Sequence, residues 1–275
     1  MKDETRPTSG ELSGDAKVAH APEMLRNIRG VIFDLDGTLF DNALFPFFII
    51  AANPFDIFRV WKERRTRKHF EGCDLLTQEA YFNAFFTMLG RACFLPAKRL
   101  RQWYFNRYMP RMIRVIKKHY APRPGVKELF QRFEAPEGSA WGMPHNFPTL
   151  AIYSDYPLTK ERFQALGVSP GSRLRLYGPE CFGAQKPAPR PFQCIAQDMG
   201  LRPEEVLVIG DREDTDGCGA FNAGMRFFCL ETGRRRYYRL DPYRNFPTNS
   251  ELPIIPMYCG TWDNLIEMFK AHYKK

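Results

Sequence analysis

A doubly wound α/β fold, built on a parallel sheet, is predicted for the two ends of this chain, with a helical domain inserted between them. Three observations predict it. An apolar run, Val31-Ile32-Phe33, delivers Asp34 and Asp36 into a Gly37-Thr38 turn, as a strand buried on both faces would. From residue 43 to residue 120 strand texture vanishes and apolar side chains recur at helical spacing. From Pro122 onward strands and helices alternate, which calls for parallel strands joined by right-handed crossovers.

The elements follow in order. Residues 1–22 are polar and have no apolar core of the kind a signal peptide needs, so they read as a mobile leader. Ala43 to Ala52 is apolar apart from Pro46, but a membrane span needs about 20 such residues. Packing of a first inserted helix explains that run more cheaply than a dip into a membrane interface. Asn53-Pro54 predicts a helix start, with Ile57, Phe58 and Trp61 on its apolar side. Thr77 opens a helix whose stripe is Phe82, Phe85, Phe86 and Leu89, closed by Gly90. A third helix begins near Pro96 with Leu100, Trp103 and Tyr104, breaks or kinks at Pro110, and resumes with Ile113, Ile116 and Tyr120. These aromatic stripes read as the core of a small helical domain over 43–120, leaving 23–42 and 121–275 for the α/β part.

In that part Val126, Leu129 and Phe130 predict a helix, and 135–148 a long loop. A strand at 149–153, a helix closing at Gly167 and a short strand around Leu174 and Leu176 follow. The helix after Pro191 ends at Gly200, strand 206–209 runs into an acidic loop, and a short helix leads to strand 227–230. Ile254 to Tyr258 predicts a last strand before a helix over 262–272.

The chemistry starts at Asp34 and Asp36. In an extended chain, alternation aims both side chains the same way, so one carboxylate can attack while the other transfers protons. Two neighbouring carboxylates repel, which favours a hard divalent cation that shares their charge. The string Asp34-Leu35-Asp36-Gly37-Thr38-Leu39-Phe40-Asp41 resembles the first signature of the haloacid dehalogenase-like (HAD) hydrolase superfamily. The other signatures are found in the expected order: Ser154 ends the apolar strand Thr149 to Tyr153, Lys186 stands before Pro187, and Asp211 follows the strand 206–209 with Glu213, Asp214 and Asp216 close behind.

The resemblance implies a Rossmann-like HAD core with a helical cap inserted after the first signature. It implies Asp34 as nucleophile and Asp36 as the acid that protonates the leaving group and then activates water. It further implies Ser154 and Lys186 as phosphate contacts, and Mg²⁺ held by Asp34, the Asp36 carbonyl and Asp211, with Asp216 supporting the metal and Glu213 and Asp214 as rivals. The family commonly has Asn after the second-signature Ser; Asp155 stands here, and the reading favoured is an outward side chain capping the helix near Pro157. Dehalogenases lack the second acid, because halide needs no proton on leaving, so Asp36 argues for phosphate esters.

Composition narrows the partners. Hydrophobic residues at 44% and charged ones at 26% are ordinary for a soluble globular chain. Seven scattered cysteines with no Cys-x-x-Cys pair suggest neither a disulfide framework nor a zinc site, and fit a reducing, cytoplasmic setting. The net charge of +9 is concentrated in Arg59, Lys62, Arg64, Arg65, Arg67 and Lys68 and in a second run from Arg99 to Lys118. Solvated helix faces are the simpler reading of both, and no nucleic-acid module is present. The function expected is therefore a Mg²⁺-dependent phosphatase of a small phosphorylated metabolite through an aspartyl-phosphate. The alternatives are a phosphomutase or phosphotransferase of the same fold, a non-catalytic binding protein, and a membrane-surface enzyme acting on a lipid headgroup.

Overall fold

The computed structural model describes residues 21–136, 139, 142–232 and 257–273; most of the expected leader, the basic tail 233–256 and the start of the expected last strand lie outside them. Six parallel strands form one sheet in the order β3-β2-β1-β4-β5-β6: β1 (Gly30–Phe33), β2 (Thr149–Tyr153), β3 (Arg175–Tyr177), β4 (Val206–Gly210), β5 (Arg226–Leu230) and β6 (Met257–Gly260). Side chains alternate across it. Val31, Phe33, Leu150, Ile152, Leu207 and Ile209 join one buried cluster; Ile32, Ala151, Tyr153 and Val208 join the other. Helices α7 (Val126–Glu134), α8 (Thr159–Ala165) and α12 (Trp262–His272) bring Phe130, Phe163 and Leu265 to the first cluster. Helix α10 (Pro189–Asp198) brings Phe192 and Ile195 to the second, and α11 (Cys218–Asn222) brings Ala220. Of two short helices, α1 (Ala21–Leu25) brings Met24 and Leu25 to the first cluster and α9 (Pro179–Phe182) brings Phe182 to the second. The α/β alternation and the helix at 262–272 stand where the sequence puts them. No described helix is long and apolar enough to cross a membrane.

Between β1 and α7 lie α2 (Phe45–Ala51), α3 (Ile57–His69), α4 (Gln78–Cys93), α5 (Ala97–Trp103), a π-helical turn (Tyr104–Tyr108) and α6 (Met109–His119). Thr77 caps α4 by accepting the Ala80 N–H at 3.2 Å, and Phe82, Phe85, Phe86 and Leu89 are buried as expected. Helix α4 runs past Gly90, because a glycine there lets Leu95 O come within 2.8 Å of where a Cβ would sit; the helix ends instead at Phe94 in the left-handed conformation. The chain does not break at Pro110: the helical run continues through it, distorted by the π-helical turn Tyr104–Tyr108 that immediately precedes α6.

Two expectations fail in α2 and α3. Asn53 does not cap: its amide donates to Ile49 O at 2.8 Å and accepts from Arg111 at 2.9 Å, so α3 starts at Ile57 after Asp56. Nor do all the apolar side chains form core. Phe45 and Ile49 are buried, but Phe47, Ile50, Ile57, Phe58 and Trp61 stand in solvent, while α3 buries Glu63 and Arg67.

The insertion is tied to the sheet's carboxyl edge through the loop between α3 and α4. Gly72 N–H donates to Lys186 O, Gln185 N–H to Cys73 O and Leu75 N–H to Gly183 O, at 2.9 to 3.0 Å. Arg190 clamps Asp74 with two bonds of 2.7 and 2.6 Å. Gly183 has a φ of +63°, and any Cβ there would collide with the Thr77 carbonyl, so this ladder requires glycine.

Candidate active site

Three neighbouring strands deliver the site. β2, β1 and β4 pair with Phe33 opposite both Ile152 and Ile209, so Asp34, Ser154 and Asp211 emerge side by side at the carboxyl edge. That edge lies where the strand order reverses, the usual ligand crevice of an open α/β sheet. After Asp34 the chain turns at Gly37, whose φ is +98° and whose Cβ, if present, would strike the Asp211 carboxylate. Arg123 braces this turn, donating to Thr38 O and Gly37 O at 2.8 Å each.

The cavity here has a volume of about 160 Å³ and is lined by Asp34, Asp36, Asp155, Asp211 and Asp216, with Arg64 and Arg212, and with Phe45 and Pro46 at the α2 side. A shallower groove of about 490 Å³ between α4 and α5, lined by Thr87, Gly90, Arg91 and Phe94 among others, carries neither a carboxylate nor a histidine. The titratable side chains gather at the smaller one, whose volume is below the about 300–1,000 Å³ of pockets that take drug-sized ligands.

Lys186 is buried behind the carboxylates that line this smaller cavity. Its ammonium donates to Asp34 Oδ1 at 2.8 Å and Asp216 Oδ1 at 2.7 Å. Burial pulls this ammonium down, but Asp216, Asp34 and Asp155 around it hold it well above its ordinary range. Burial pushes the Asp34 carboxyl up to about 6 against the pull of Lys186, with Asp216 and Asp36 adding to the rise. Asp216 is likewise raised by burial.

Asp34, Asp211 and Asp216 each offer an oxygen within 4.8 Å of the others. These residues fit a hard cation. The donors are all oxygen, as Mg²⁺ prefers, and Asp34 Oδ2 is buried with no hydrogen-bond partner. The rivals for Asp216 are turned away: Asp214 pairs with Arg212 at 2.6 Å, and Glu213 accepts from the Cys229 thiol at 3.8 Å.

Asp36 sits across the cavity with Ser154. The Ser154 hydroxyl donates to Asp36 Oδ2 at 3.2 Å and accepts from the Tyr156 N–H at 3.2 Å and from Arg162 at 2.7 Å. Arg162 also pairs directly with Asp36, and it is fully buried. Asp155 does not cap a helix. α8 begins only at Thr159, and the Asp155 carboxylate faces inward, accepting the Lys186 backbone N–H at 3.2 Å. A peptide donor and the nearby ammonium reward that inward turn, which an exposed cap would forgo.

Sequence reasoning missed Arg162, Arg123 and Arg212, and named Arg64 only as one of a basic cluster. For Arg162 a signal existed: Thr159, Arg162, Phe163 and Leu166 share one helix face, and all four are buried, so the arginine falls in an apolar stripe.

The haloacid dehalogenase-like hydrolase family model matches residues 28–224. N-acetylmuramic acid 6-phosphate phosphatase of Pseudomonas aeruginosa is 28% identical over 194 residues, 67% of this chain and 74% of that protein. Phosphoglycolate phosphatase of Salmonella typhimurium is 27% identical over 203 residues, 69% of this chain and 76% of that one. Among solved structures, a 2-haloacid dehalogenase from Pseudomonas syringae pv. Tomato DC3000 shares the fold at a TM-score of 0.52 and 17% identity, covering 89% of this chain and 99% of its own.

Proposed function

Because the chain belongs to the haloacid dehalogenase-like hydrolase family, we propose that it is a Mg²⁺-dependent phosphatase that hydrolyses a phosphate monoester through a phosphorylated Asp34. The observation that carries this reading is that two carboxylates with different surroundings, Asp34 against Lys186 and Asp36 against Ser154 and Arg162, line one cavity. The phosphatases that share about two thirds of this chain support a phosphorylated substrate, here a small metabolite or headgroup ester.

Asp34 is the nucleophile, attacking phosphorus and displacing the ester oxygen. Asp36 gives that oxygen its proton and, once the alcohol has left, takes a proton from the water that cleaves the acyl phosphate. Ser154 turns its hydroxyl proton from Asp36 to the phosphoryl oxygens, and Arg162 holds the Ser154 oxygen and the Asp36 carboxylate in place. Lys186 keeps Asp34 aligned and balances the negative charge of the phosphoryl group. Asp34, Asp211 and the Asp36 carbonyl would hold Mg²⁺, with Asp216 in support, and the ion supplies positive charge against the phosphoryl oxygens. The helices over 43–120 act as the cap on a core of 23–42 and 121–275, excluding water from the cavity.

Release of inorganic phosphate from p-nitrophenyl phosphate and a phosphometabolite panel tests the reading. Turnover should need Mg²⁺, stop with a chelator, and fall by at least about 10³-fold in Asp34→Asn. No phosphate from any ester, or full activity in Asp34→Asn, refutes it. Isomer formation without free phosphate would assign the same residues to a mutase.

A further inference from the structure

The face formed by α2, the loop at 52–56 and the outer side of α3 has the wrong composition for a solvated surface. Phe55 is 98% exposed at the loop tip, and Phe47, Ile50, Ile57, Phe58 and Trp61 are 44 to 65% exposed around it. Single exposed apolar residues are normal, but six large apolar side chains exposed between residues 47 and 61, with Phe58 and Trp61 in ring contact, mark an interaction site. Its charges have one sign. The carboxylates within 43–70 are Asp56 and Glu63, and both are buried in ion pairs, with Arg59 and Arg111 and with Arg67. Arg64, Arg65 and Lys68 are exposed beside the rings. The Lys62 ammonium lies over the Trp61 ring at 4.9 Å and the Arg65 guanidinium at 4.8 Å, so the cations and the exposed indole share one surface.

We propose that this face docks on an anionic membrane surface. Rings that enter the acyl boundary beside cations that meet lipid phosphates are what such a surface selects. Charge argues against a second copy as the occupant, since a two-fold contact would bring this cationic rim against itself. The same two helices border the candidate active site through Phe45, Pro46 and Arg64, so the docked face and the cavity share a rim. Docking then offers the small cavity phosphate esters held in the headgroup layer, a consequence that rests on the hydrolase reading above; the docking itself does not.

The full chain is sedimented with phosphatidylcholine vesicles, with and without phosphatidylserine, at low and high salt. Binding should require phosphatidylserine and weaken with salt. It should fall at least about tenfold in Phe55→Ser/Trp61→Ser and in Lys62→Glu/Arg65→Glu, with hydrolysis of soluble aryl phosphate unchanged in both. No binding to anionic vesicles at low salt overturns the proposal, as does binding that survives both pairs of substitutions. A dimer seen by sedimentation velocity and dissolved by the same substitutions overturns it in favour of self-association. Vesicle binding by a chain that cleaves no phosphate ester would refute the hydrolase reading and leave docking intact.

Discussion

Helices α3 and α4 lie side by side in the insertion and bury opposite kinds of side chain. α4 follows the usual rule, with Tyr81, Phe82, Phe85, Phe86 and Leu89 inward against Tyr104 and Phe105. α3 inverts it: Glu63, Thr66 and Arg67 face in with Val60, while Ile57, Phe58 and Trp61 face out. The contrast separates stability from placement. An apolar stripe stabilises directly by leaving water. A buried ion pair gains little net energy, because desolvation offsets the attraction, but it holds its partners in fixed positions. Here Arg67 donates to Asp155 O at 2.7 Å and to the Tyr104 hydroxyl at 2.7 Å, and stacks on Tyr156 at 3.9 Å. The inner face of α3 therefore fixes the segment after Ser154, and its outer face is left for another partner.

The largest effect should come from breaking the inverted interior. Glu63→Ala strands a buried guanidinium and should cost about 3–5 kcal/mol in chemical denaturation, whereas Glu63→Met with Arg67→Met should recover most of it. A double variant as unstable as the single one would mean that the pair itself stabilises the fold. Comparable in size but lying on α4, Phe85→Ala should lose about 3–5 kcal/mol, while Phe58→Ala on α3 stays within about 0.5 kcal/mol. Equal losses at the two phenylalanines would erase the contrast.

A smaller effect is expected at Asp56, which anchors the start of α3. Burial raises its carboxyl, but the Trp103 indole, Arg111 at 2.9 Å and Arg59 at 2.6 Å together bring it below its ordinary value of 3.8. The native state therefore binds fewer protons than the unfolded chain as pH falls through 3.8, and the stabilisation present above that value is lost below it. Asp56→Asn should cost about 1.5 kcal/mol at pH 7 and nothing well below pH 3, read from melts across pH. The smallest stability change belongs to Asp74→Ala, about 0.2–1 kcal/mol for a part-exposed pair, yet turnover should drop severalfold because Arg190 and Asp74 brace the Lys186 loop.

The three site-bearing strands were legible because each carries an apolar run that ends on a polar residue, at Phe33-Asp34, Tyr153-Ser154 and Gly210-Asp211. Thr77 and the stripe behind it were legible for the same reason: a local capping bond and a local periodicity specify them. What escaped is non-local. Asn53 looks like a cap until Ile49 and Arg111 claim its side chain. Ile57, Phe58 and Trp61 have core spacing, and only the fold reveals that their helix is turned inside out. Asp155 resembles a solvated helix-start residue, and its inward turn depends on Lys186 from another loop; the apolar stripe of α8 marks Arg162 as buried, but its partners Asp36 and Ser154 come from other segments.

The ladder between 72–75 and 183–186 has a mechanical consequence. Lifting the insertion along that side breaks three backbone bonds, the Arg190 clamp and the Tyr81–Gln185 bond of 2.9 Å, at about 1 kcal/mol or more apiece. It would also drag at the peptide that presents Lys186. The insertion is a shutter hung on one jamb, and it swings at the cost of the lysine's seating only if pulled from the hung side. Phe45, Pro46 and Arg64 line the same cavity and take no part in that ladder.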